Sequence, residues 1–328
     1  MPNSIHRILV AIRDLHHAPR TELRKAAEIA RAANATLELF HAVDIPARTD
    51  RAAAGLPAGT VGKLAMTKLR IAEQRLRQFA RLSSLRGVEV TPHVSADYPA
   101  HEAVVRRAER IRADLVIAGT RPHGFAKRLF LRNTDWELIR RCSCPLLLVK
   151  STRSYTGSTV LAAVDPFHTH AKPADLDVRL LEVGKTVSQL FKGSLHVFHA
   201  YTPLVELVPL PTALAIPAIA PPEAEKAHVE LVASEVARLA DAAGVPRSAR
   251  HLRMGVTASE LCDVAKRTRA GLVVMGAVSR SRLRRIFVGS TAERALDELR
   301  CDVLIVKPVG FKPAIGPRAS AATSRKAA

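Results

Sequence analysis

Two glycines in the last third of the chain stand where a polypeptide can bind an anion. Gly276 follows the apolar run 272–275, and Gly289-Ser290 opens the next helical stretch. A glycine at a strand end lets the backbone approach a ligand, and the free N–H groups of a helix start attract phosphate. Glu293 lies three residues after Ser290, which is the spacing of a capping box and marks the helix start. The pattern predicts a phosphate site between a strand end and a helix start.

The surroundings of these glycines do not supply the groups that phosphate hydrolysis needs. Four arginines in the intervening loop either add positive charge to the site or are simply solvated: Arg280, Arg282, Arg284 and Arg285. Hydrolysis requires an activated water and charge stabilisation at the γ-phosphate. No lysine at Walker spacing follows the glycine loop, and no Ser-His-Asp or Cys-His set is recognisable. The sequence predicts a binding protein rather than an enzyme and leaves weak ATPase activity open.

The same unit occurs earlier in the chain. A constant shift without a gap pairs Gly276 with Gly119, Ser290 with Asn133 and Cys301 with Cys144. Nearer the start of each half, the shift changes slightly. Residues 8–12 then match residues 160–164, and residues 40–42 match residues 198–200, which pairs His41 with His199. These two histidines lie in strands, where a hydrogen-bonded core role is expected. The pattern indicates a duplication, with a first domain at 1–152, a second at 157–308 and a disordered basic tail at 309–328.

Composition places the chain among ordinary globular proteins. Its 328 residues are 48% hydrophobic and 24% charged. No apolar run reaches the roughly 18 residues of a membrane helix, and the N-terminus lacks a signal-peptide core, so we expect a cytoplasmic protein with no membrane partner. The four cysteines are expected to be reduced core thiols. Cys142-Ser-Cys144 resembles half of a metal site, but no second pair stands at zinc spacing, so no metal is predicted.

The net charge of +20 leaves a nucleic-acid partner open. Aromatic residues are only 4% of the chain, and no groove-reading or base-stacking motif is present. Specific nucleic-acid binding is therefore not the favoured interpretation. An arginine-rich surface on an ordinary globular protein accounts for the same charge.

Strands alternate with helices in both halves. The apolar runs predict strands at 6–13, 37–42, 88–94, 115–118 and 146–149, and again at 159–164, 195–200, 249–254, 272–275 and 303–306. Helical spacing predicts helices at 23–33, 61–85 and 99–112, and at 175–191, 223–243 and 257–269, with one more before the last strand of each half. Near-continuous apolar strands indicate parallel sheets covered on both faces. Each half is thus an α/β domain with a doubly wound, five-stranded parallel sheet.

Ligands of doubly wound sheets bind beyond the strand carboxyl ends, where the strand order reverses. In the second half this places the ends of its first and fourth strands side by side, so Asp165 and Gly276 are expected to share one crevice. The segment 205–222 is apolar and rich in proline, and it is predicted to be a loop. It either packs on the other domain or on a second copy of the chain, or it covers an apolar ligand.

These residues resemble the universal stress protein family over nearly the whole chain, apart from the tail. Thr134-Asp135-Trp136 in the first half and the run 299–308 in the second are similar to the tandem-domain members. The resemblance implies two Rossmann-like domains of the adenine nucleotide alpha hydrolase type. In ATP-binding members an aspartate ends strand one, and Gly-x2-Gly-x9-Gly-Ser/Thr follows strand four.

Carried over to this sequence, the resemblance implies ATP or AMP in the second domain only, with Mg²⁺ accompanying ATP. Asp165 would contact the nucleoside, Ala200 would edge the adenine pocket, and the phosphate loop would follow Met275. The implied nucleotide contacts are Asp165, Ala200, Met275, Gly276, Ser279, Gly289, Ser290 and Thr291. Ser279 departs from the motif, because it stands where a glycine is expected.

The first half has lost most of the motif. Arg13 stands where the aspartate belongs, Pro122 replaces the second glycine, and Arg132-Asn133 replaces Gly-Ser. Two hypotheses remain. One is a stress-response protein that binds ATP or AMP and acts through an unknown protein partner. The other is a nucleotide-free scaffold for a protein, a nucleic acid or an apolar ligand, built as a pseudo-dimer of its two domains and open to homodimerisation.

Overall fold

The structure, a computed structural model, describes residues 5–45, 58–120, 133–167, 175–203, 205–209, 215–219, 221–277 and 290–312. Ser279, Gly289, most of the predicted tail and the loop arginines lie outside these ranges. The chain divides into two compact units. One contains the residues up to Ser154 and those from Gly310 onward, and the other runs from Tyr155 to Val309. Within the described ranges no helix combines the length and the apolar character needed to cross a bilayer.

The first unit contains five strands and four helices in alternation. The strands are β1 (Arg7–Ala11), β2 (Thr36–Val43), β3 (Val90–Ala96), β4 (Leu115–Gly119) and β5 (Leu146–Val149). The helices are α1 (Arg20–Ala33), α2 (Ala58–Ala80), α3 (Ala100–Arg110) and α4 (Asn133–Arg141). The strand order is β5-β4-β1-β2-β3, and every pair is parallel. Leu76 and Phe79 of α2 are buried, as their helical spacing predicts.

The second unit repeats this plan. Its sheet strands are β6 (Thr159–Ala163), β7 (Ser194–Tyr201), β10 (Arg250–Met254), β11 (Leu272–Gly276) and β12 (Asp302–Val306). Its helices are α5 (Leu176–Leu190), α6 (Pro222–Ala243), α7 (Thr257–Arg267) and α8 (Ser290–Glu298). All strand pairs are parallel, in the order β12-β11-β6-β7-β10. The predicted fold class is confirmed in both units.

The segment predicted as the loop 205–222 is a β-hairpin for part of its length, so that prediction was wrong. Strand β8 (Val205–Pro209) pairs antiparallel with β9 (Ala215–Ile219), and Leu207 lies opposite Pro217. Proline has no N–H and is confined to edge positions of sheets. In a two-stranded ribbon both strands are edges, so a proline is tolerated there and does not exclude a strand.

Hydrophobic packing closes the second unit around its central strands. Val164 and Val197 pack with Leu181 of α5 and with Val236 and Leu239 of α6, and all five are buried. Burying apolar surface in this way is the main favourable term in folding, at about 25 cal/mol per Å². The packing fixes the carboxyl end of β6, which carries the candidate site.

Candidate functional site

The strand order of the second unit reverses between β6 and β11. Strand β6 pairs with β7 on one side and β11 on the other, with Met275 opposite Ala163 and Ala163 opposite Phe198. The carboxyl ends of these strands therefore lie at one edge of the sheet. Asp165 follows β6 by two residues, and Gly276 is the last residue of β11. The structure places these two residues on adjacent strand ends, as the topology predicted.

The backbone that carries Asp165 is fixed from two sides. The buried His199 donates from Nδ1 to the Val164 carbonyl at 3.0 Å, and the Asp165 N–H donates to Oδ1 of Asp177 at 3.1 Å. The Val164 N–H also donates to the Phe198 carbonyl at 3.0 Å. Asp177 is buried in the first turn of α5. Two polar side chains thus hold the residue that the sequence predicts to contact a nucleoside.

The expected hydrogen-bonded core role is confirmed for His199, which is buried, whereas His41 is hydrogen-bonded but only partly buried. His41 makes the equivalent contact in the first unit, where its Nδ1 lies 2.8 Å from the Ile12 carbonyl oxygen. Burial lowers the pKa of His41, an effect opposed by this hydrogen bond and by the charge of Asp14. Because Nδ1 donates to a carbonyl, the neutral ring keeps its lone pair on Nε2. Both histidines hold the chain just beyond the first strand of their unit.

Gly276 leaves room for the start of α5. A Cβ at this position would lie 2.8 Å from Cδ2 of Leu176 and 3.7 Å from Cδ1 of Leu180. The packing of α5 against the strand end thus explains the missing side chain, in addition to the close ligand approach that the sequence suggested. The result is a partly exposed strand end with no side chain of its own.

The remaining predicted residues lie around this point where the structure describes them. Ala200 is partly exposed near the end of β7, and Met275 is buried in β11. Ser290 and Thr291 form the first residues of α8. Since α8 connects two parallel neighbouring strands, it begins at the carboxyl edge of the sheet. Ser279 and Gly289 lie outside the described residues.

Two residues near the site were not identified from the sequence. Asp177 positions the Asp165 backbone, and its only signal is an acidic residue in the first turn of the helix after β6. Phe167, two residues beyond Asp165, is 40% exposed, and its ring centroid lies 6.1 Å from that of His199. Such an exposed aromatic ring close to the strand end offers a flat apolar surface.

The equivalent place in the first unit is filled by its own charged side chains. Arg13 forms an ion pair with Asp135, which is 1% exposed and lies in the first turn of α4. A Cβ on Gly119 would lie 2.6 Å from Cγ of Glu22, so the Glu22 side chain covers this glycine. In the first unit, the positively charged Arg13 thus stands at the position of Asp165. Gly119, the equivalent of Gly276, is covered by the carboxylate of Glu22.

The chain matches the universal stress protein family twice, over residues 4–150 and 159–307. It belongs to that family. The two matches correspond to the two repeats, so this universal stress protein is of the tandem type.

Relatives of the same type share about a quarter of the residues. The chain is similar to Universal stress protein E of Photorhabdus laumondii, with 26% identity over 69% of this chain and 71% of the relative. It is also similar to Universal stress protein E of Escherichia coli K12, with 28% identity over 63% of this chain and 65% of the relative. The alignments leave about a third of each relative unmatched.

Solved structures share the tandem fold. A functionally unknown protein from Pseudomonas aeruginosa PAO1 superposes with a TM-score of 0.68 at 23% identity, covering 93% of this chain and 94% of the other. A universal stress protein from Archaeoglobus fulgidus superposes with a TM-score of 0.60 at 14% identity, covering 92% and 98%. At these identities the likeness concerns the fold alone.

Proposed function

We propose that this protein is a cytoplasmic stress-response protein that binds ATP or AMP in its second domain and acts through partners rather than through catalysis. The observation that carries the proposal is the meeting of Asp165, Gly276 and the start of α8 at the carboxyl edge of one sheet. Family membership supports adenine nucleotide as the ligand, because the retained residues are those of the family's ATP-binding motif.

The proposal gives each residue a role. The Asp165 carboxylate accepts hydrogen bonds from nucleoside hydroxyls and is the group available to Mg²⁺ when ATP is bound. Backbone N–H groups at Gly276 and at Ser290 and Thr291 hold phosphates, helped by the dipole of α8. Ala200 and Met275 border the base. Ser279 and Gly289 belong to the proposed phosphate loop by sequence only.

We assign no nucleotide to the first domain. Arg13 replaces the carboxylate acceptor and is paired with Asp135, and Glu22 sets a negative charge beside Gly119, where a phosphate would be repelled. The proposed nucleotide site thus lies in the second domain. We propose that the first domain contacts partners.

A matched pair of variants tests the site. Small molecules are released by acid from freshly purified protein and identified by mass spectrometry, and empty protein is titrated with ATP and with AMP in a calorimeter. We expect one adenine nucleotide per chain in the wild type. Gly276→Ala is expected to abolish binding, because its Cβ displaces Leu176 and crowds the approach to the backbone. Gly119→Ala makes the same change in the first unit and is expected to leave binding intact.

Two further changes identify which part of the site fails. Asp165→Asn keeps the size of the side chain but removes the charge, and it is expected to weaken binding by about tenfold or more, as loss of a charged hydrogen-bond acceptor does. Gly289→Asp places a negative charge against the phosphates and is expected to block them. Absence of nucleotide in the wild type, in both assays, would refute the proposal.

Turnover is tested separately. Phosphate release from ATP and Mg²⁺ is measured at enzyme concentrations high enough to detect one event per chain per hour. We expect release at the rate of the Asp165→Asn control, because the sequence has no lysine at Walker spacing after the glycine loop and no recognisable catalytic set. Release that disappears in this variant would make the protein a slow ATPase.

The alternative function is a nucleotide-free scaffold. The apolar sequences of β8 and β9 favour it, because a hairpin of this composition is suited to an apolar ligand or a protein surface. A lipid released from the purified chain, with no nucleotide, would support this scaffold. Association of two chains, measured by sedimentation, would support a homodimer built on the tandem pseudo-dimer.

A further inference from the structure

Two cysteines of the first unit lie side by side where α4 ends. The Sγ atoms of Cys142 and Cys144 are 3.6 Å apart, whereas a disulfide joins its sulfurs at about 2.05 Å. The Cys142 N–H still donates to the Leu138 carbonyl at 2.9 Å, but residues 143–145 belong to neither α4 nor β5. Cys144 is therefore carried by a short irregular connection. Formation of a disulfide requires the two sulfurs to approach each other by about 1.5 Å, and this irregular connection is the part of the chain that would adjust.

The two thiols differ in their access to solvent. Cys142 is only 1% exposed, whereas Cys144 has intermediate exposure, so the expectation that it is a core thiol needs this correction. Cys144 is the more exposed residue of the two, so we expect a reagent to reach it first. The Cys142 sulfur lies 3.6 Å from the Cys144 sulfur and can then react with whatever becomes attached to Cys144. This order is the arrangement of an attacking thiol and a resolving thiol.

The pair is a feature of the first unit. In the repeat, Cys301 stands at the position of Cys144, but Leu299 stands at the position of Cys142. Leu299 is buried, so an apolar residue meets the packing requirement there. A second sulfur is therefore not needed to fill this place in the fold, and its presence in the first unit calls for a chemical explanation.

We propose that Cys142 and Cys144 form a reversible dithiol–disulfide couple that is oxidised by low-molecular-weight disulfides such as glutathione disulfide. The Cys144 thiolate attacks one sulfur of the reagent, forming a mixed disulfide and releasing the other half as a thiolate that takes up a proton. The Cys142 thiolate then attacks the Cys144 sulfur, forming the intrachain disulfide and releasing the second half as a thiol. The cysteines lose two electrons and two protons, and the reagent gains both as two thiols.

The surroundings of Cys144 set the rate of the first step. The hydrogen bond with Cys142 and burial, followed by the charges of Cys142 and Asp114, raise the pKa of the Cys144 thiol well above its ordinary value. Since the thiolate is the nucleophile, exchange is slow at neutral pH. Its rate is expected to rise about tenfold per pH unit until the pKa is reached. The site thus resists weak oxidants and responds to sustained or alkaline exposure.

Peptide mass spectrometry of the full chain tests the couple directly. The protein is incubated with glutathione disulfide from neutral to mildly alkaline pH, free thiols are blocked with iodoacetamide, and the chain is digested with trypsin. Cleavage after Arg141 and Lys150 places both cysteines in one peptide. We expect this peptide to lose two hydrogen masses, to carry neither glutathione nor the blocking group, and to regain two free thiols after treatment with dithiothreitol.

Variants establish the order of attack. Cys142→Ser removes the resolving thiol and is expected to leave glutathione attached to Cys144. Cys142→Ala tests the same point should serine be poorly tolerated at this buried position. Cys262→Ser, at a partly exposed cysteine of the second unit, is the matched control and is expected to leave the disulfide peptide unchanged. Two outcomes in folded wild-type protein would overturn the proposal. One is a glutathione adduct that persists on Cys144, and the other is full blocking of both thiols at the most alkaline pH.

Discussion

One backbone position carries opposite charges in the two domains of this universal stress protein. Asp165 and Arg13 occupy equivalent places just beyond the first strand of each unit, and a histidine fixes the preceding backbone in both. In the second domain, Asp177 and His199 hold the backbone that carries the Asp165 carboxylate. In the first, the guanidinium is turned onto the buried carboxylate of Asp135. The residue at this position thus belongs to a candidate binding site in one domain and to a structural ion pair in the other.

The ion pair of the first domain is expected to contribute to its stability. Arg13→Ala leaves the buried Asp135 carboxylate without this partner, and such a loss costs about 1–3 kcal/mol. Chemical denaturation followed by circular dichroism measures the change. Arg20→Ala, at an exposed position of α1, is the matched control and is expected to change the free energy of unfolding by less than about 0.5 kcal/mol. Equal effects of the two variants would contradict a structural role for Arg13.

A pair of histidines on β7 and β10 makes stability depend on pH. His196 Nδ1 and His251 Nε2 are 2.9 Å apart. Burial lowers the pKa of both rings, and the positive charges of His196, Arg267 and Arg253 lower that of His251 further. The unfolded chain then binds more protons than the folded one below about pH 6.5, so stability is lost as the pH falls from there.

The contribution of this histidine pair is tested by measuring the melting temperature of the protein at a series of pH values between about pH 7 and pH 5. His251→Gln is expected to reduce the fall of the melting temperature with decreasing pH, because one ring that resists protonation in the folded state is gone. His17→Gln, which replaces an exposed imidazole, is the matched control. A slope for His251→Gln equal to that of the wild type would show that the pair does not contribute.

At the scale of elements, four helices end on a non-glycine residue in the left-handed region. These residues follow α1, α3, α5 and α7 and have φ values of 52° at Asn34, 50° at Arg112, 53° at Lys192 and 51° at Arg269. Asparagine visits this region readily, but arginine and lysine do so at a cost of about 1–2 kcal/mol. The same conformation recurs at matching positions of the two repeats, so the fold requires it.

Replacing these residues with glycine is expected to stabilise the protein. Lys192→Gly and Arg269→Gly remove the strain of a Cβ in the left-handed region, against a loss of about 0.5–1 kcal/mol in unfolded-chain entropy. The net gain is expected to be a few tenths to about 1 kcal/mol in the free energy of unfolding. Gly244→Ala, at a φ of 73° after α6, is the opposite change and is expected to destabilise. Destabilisation by both glycine variants would show that other contacts of these side chains dominate.

These elements also show how far the sequence could predict the structure. Strand bounds agree within about two residues because buried parallel strands are continuous apolar runs. Asn34 directly follows the helix predicted at 23–33 and is a residue type that adopts the left-handed region readily, whereas the side chains of Arg112, Lys192 and Arg269 do not signal a left-handed backbone. The hairpin was missed because Pro209 and Pro217 suggest a loop. Asp177 was missed because its role depends on a contact between α5 and the end of β6, which no local pattern encodes.

At the scale of the whole molecule, duplication produced two domains of the same fold, and only the second has kept the residues of the candidate site. The order of elements, the strand register and the backbone at helix ends are repeated, since they follow from packing that both domains share. The supporting histidines at the carboxyl edge are also repeated, but the aspartate after the first strand and the Gly-Ser at the last helix start are not. The two domains are therefore more alike in fold than in the residues that could bind a ligand. This difference is expected when a ligand constrains one copy and the other is free to change.

The net charge of the whole chain is expected to produce weak nucleic-acid binding without sequence recognition. The chain has 50 lysines and arginines against 30 acidic residues. A cationic surface binds phosphate backbones by releasing counterions, so the affinity falls steeply with salt and does not depend on base sequence. Fluorescence anisotropy with two unrelated duplexes over a series of salt concentrations measures both properties. We expect the two duplexes to bind with equal affinity and with the same steep dependence on salt. The Gly276→Ala variant is expected to bind both duplexes as the wild type does. A preference of about tenfold or more for one duplex would instead require base contacts that the sequence does not reveal.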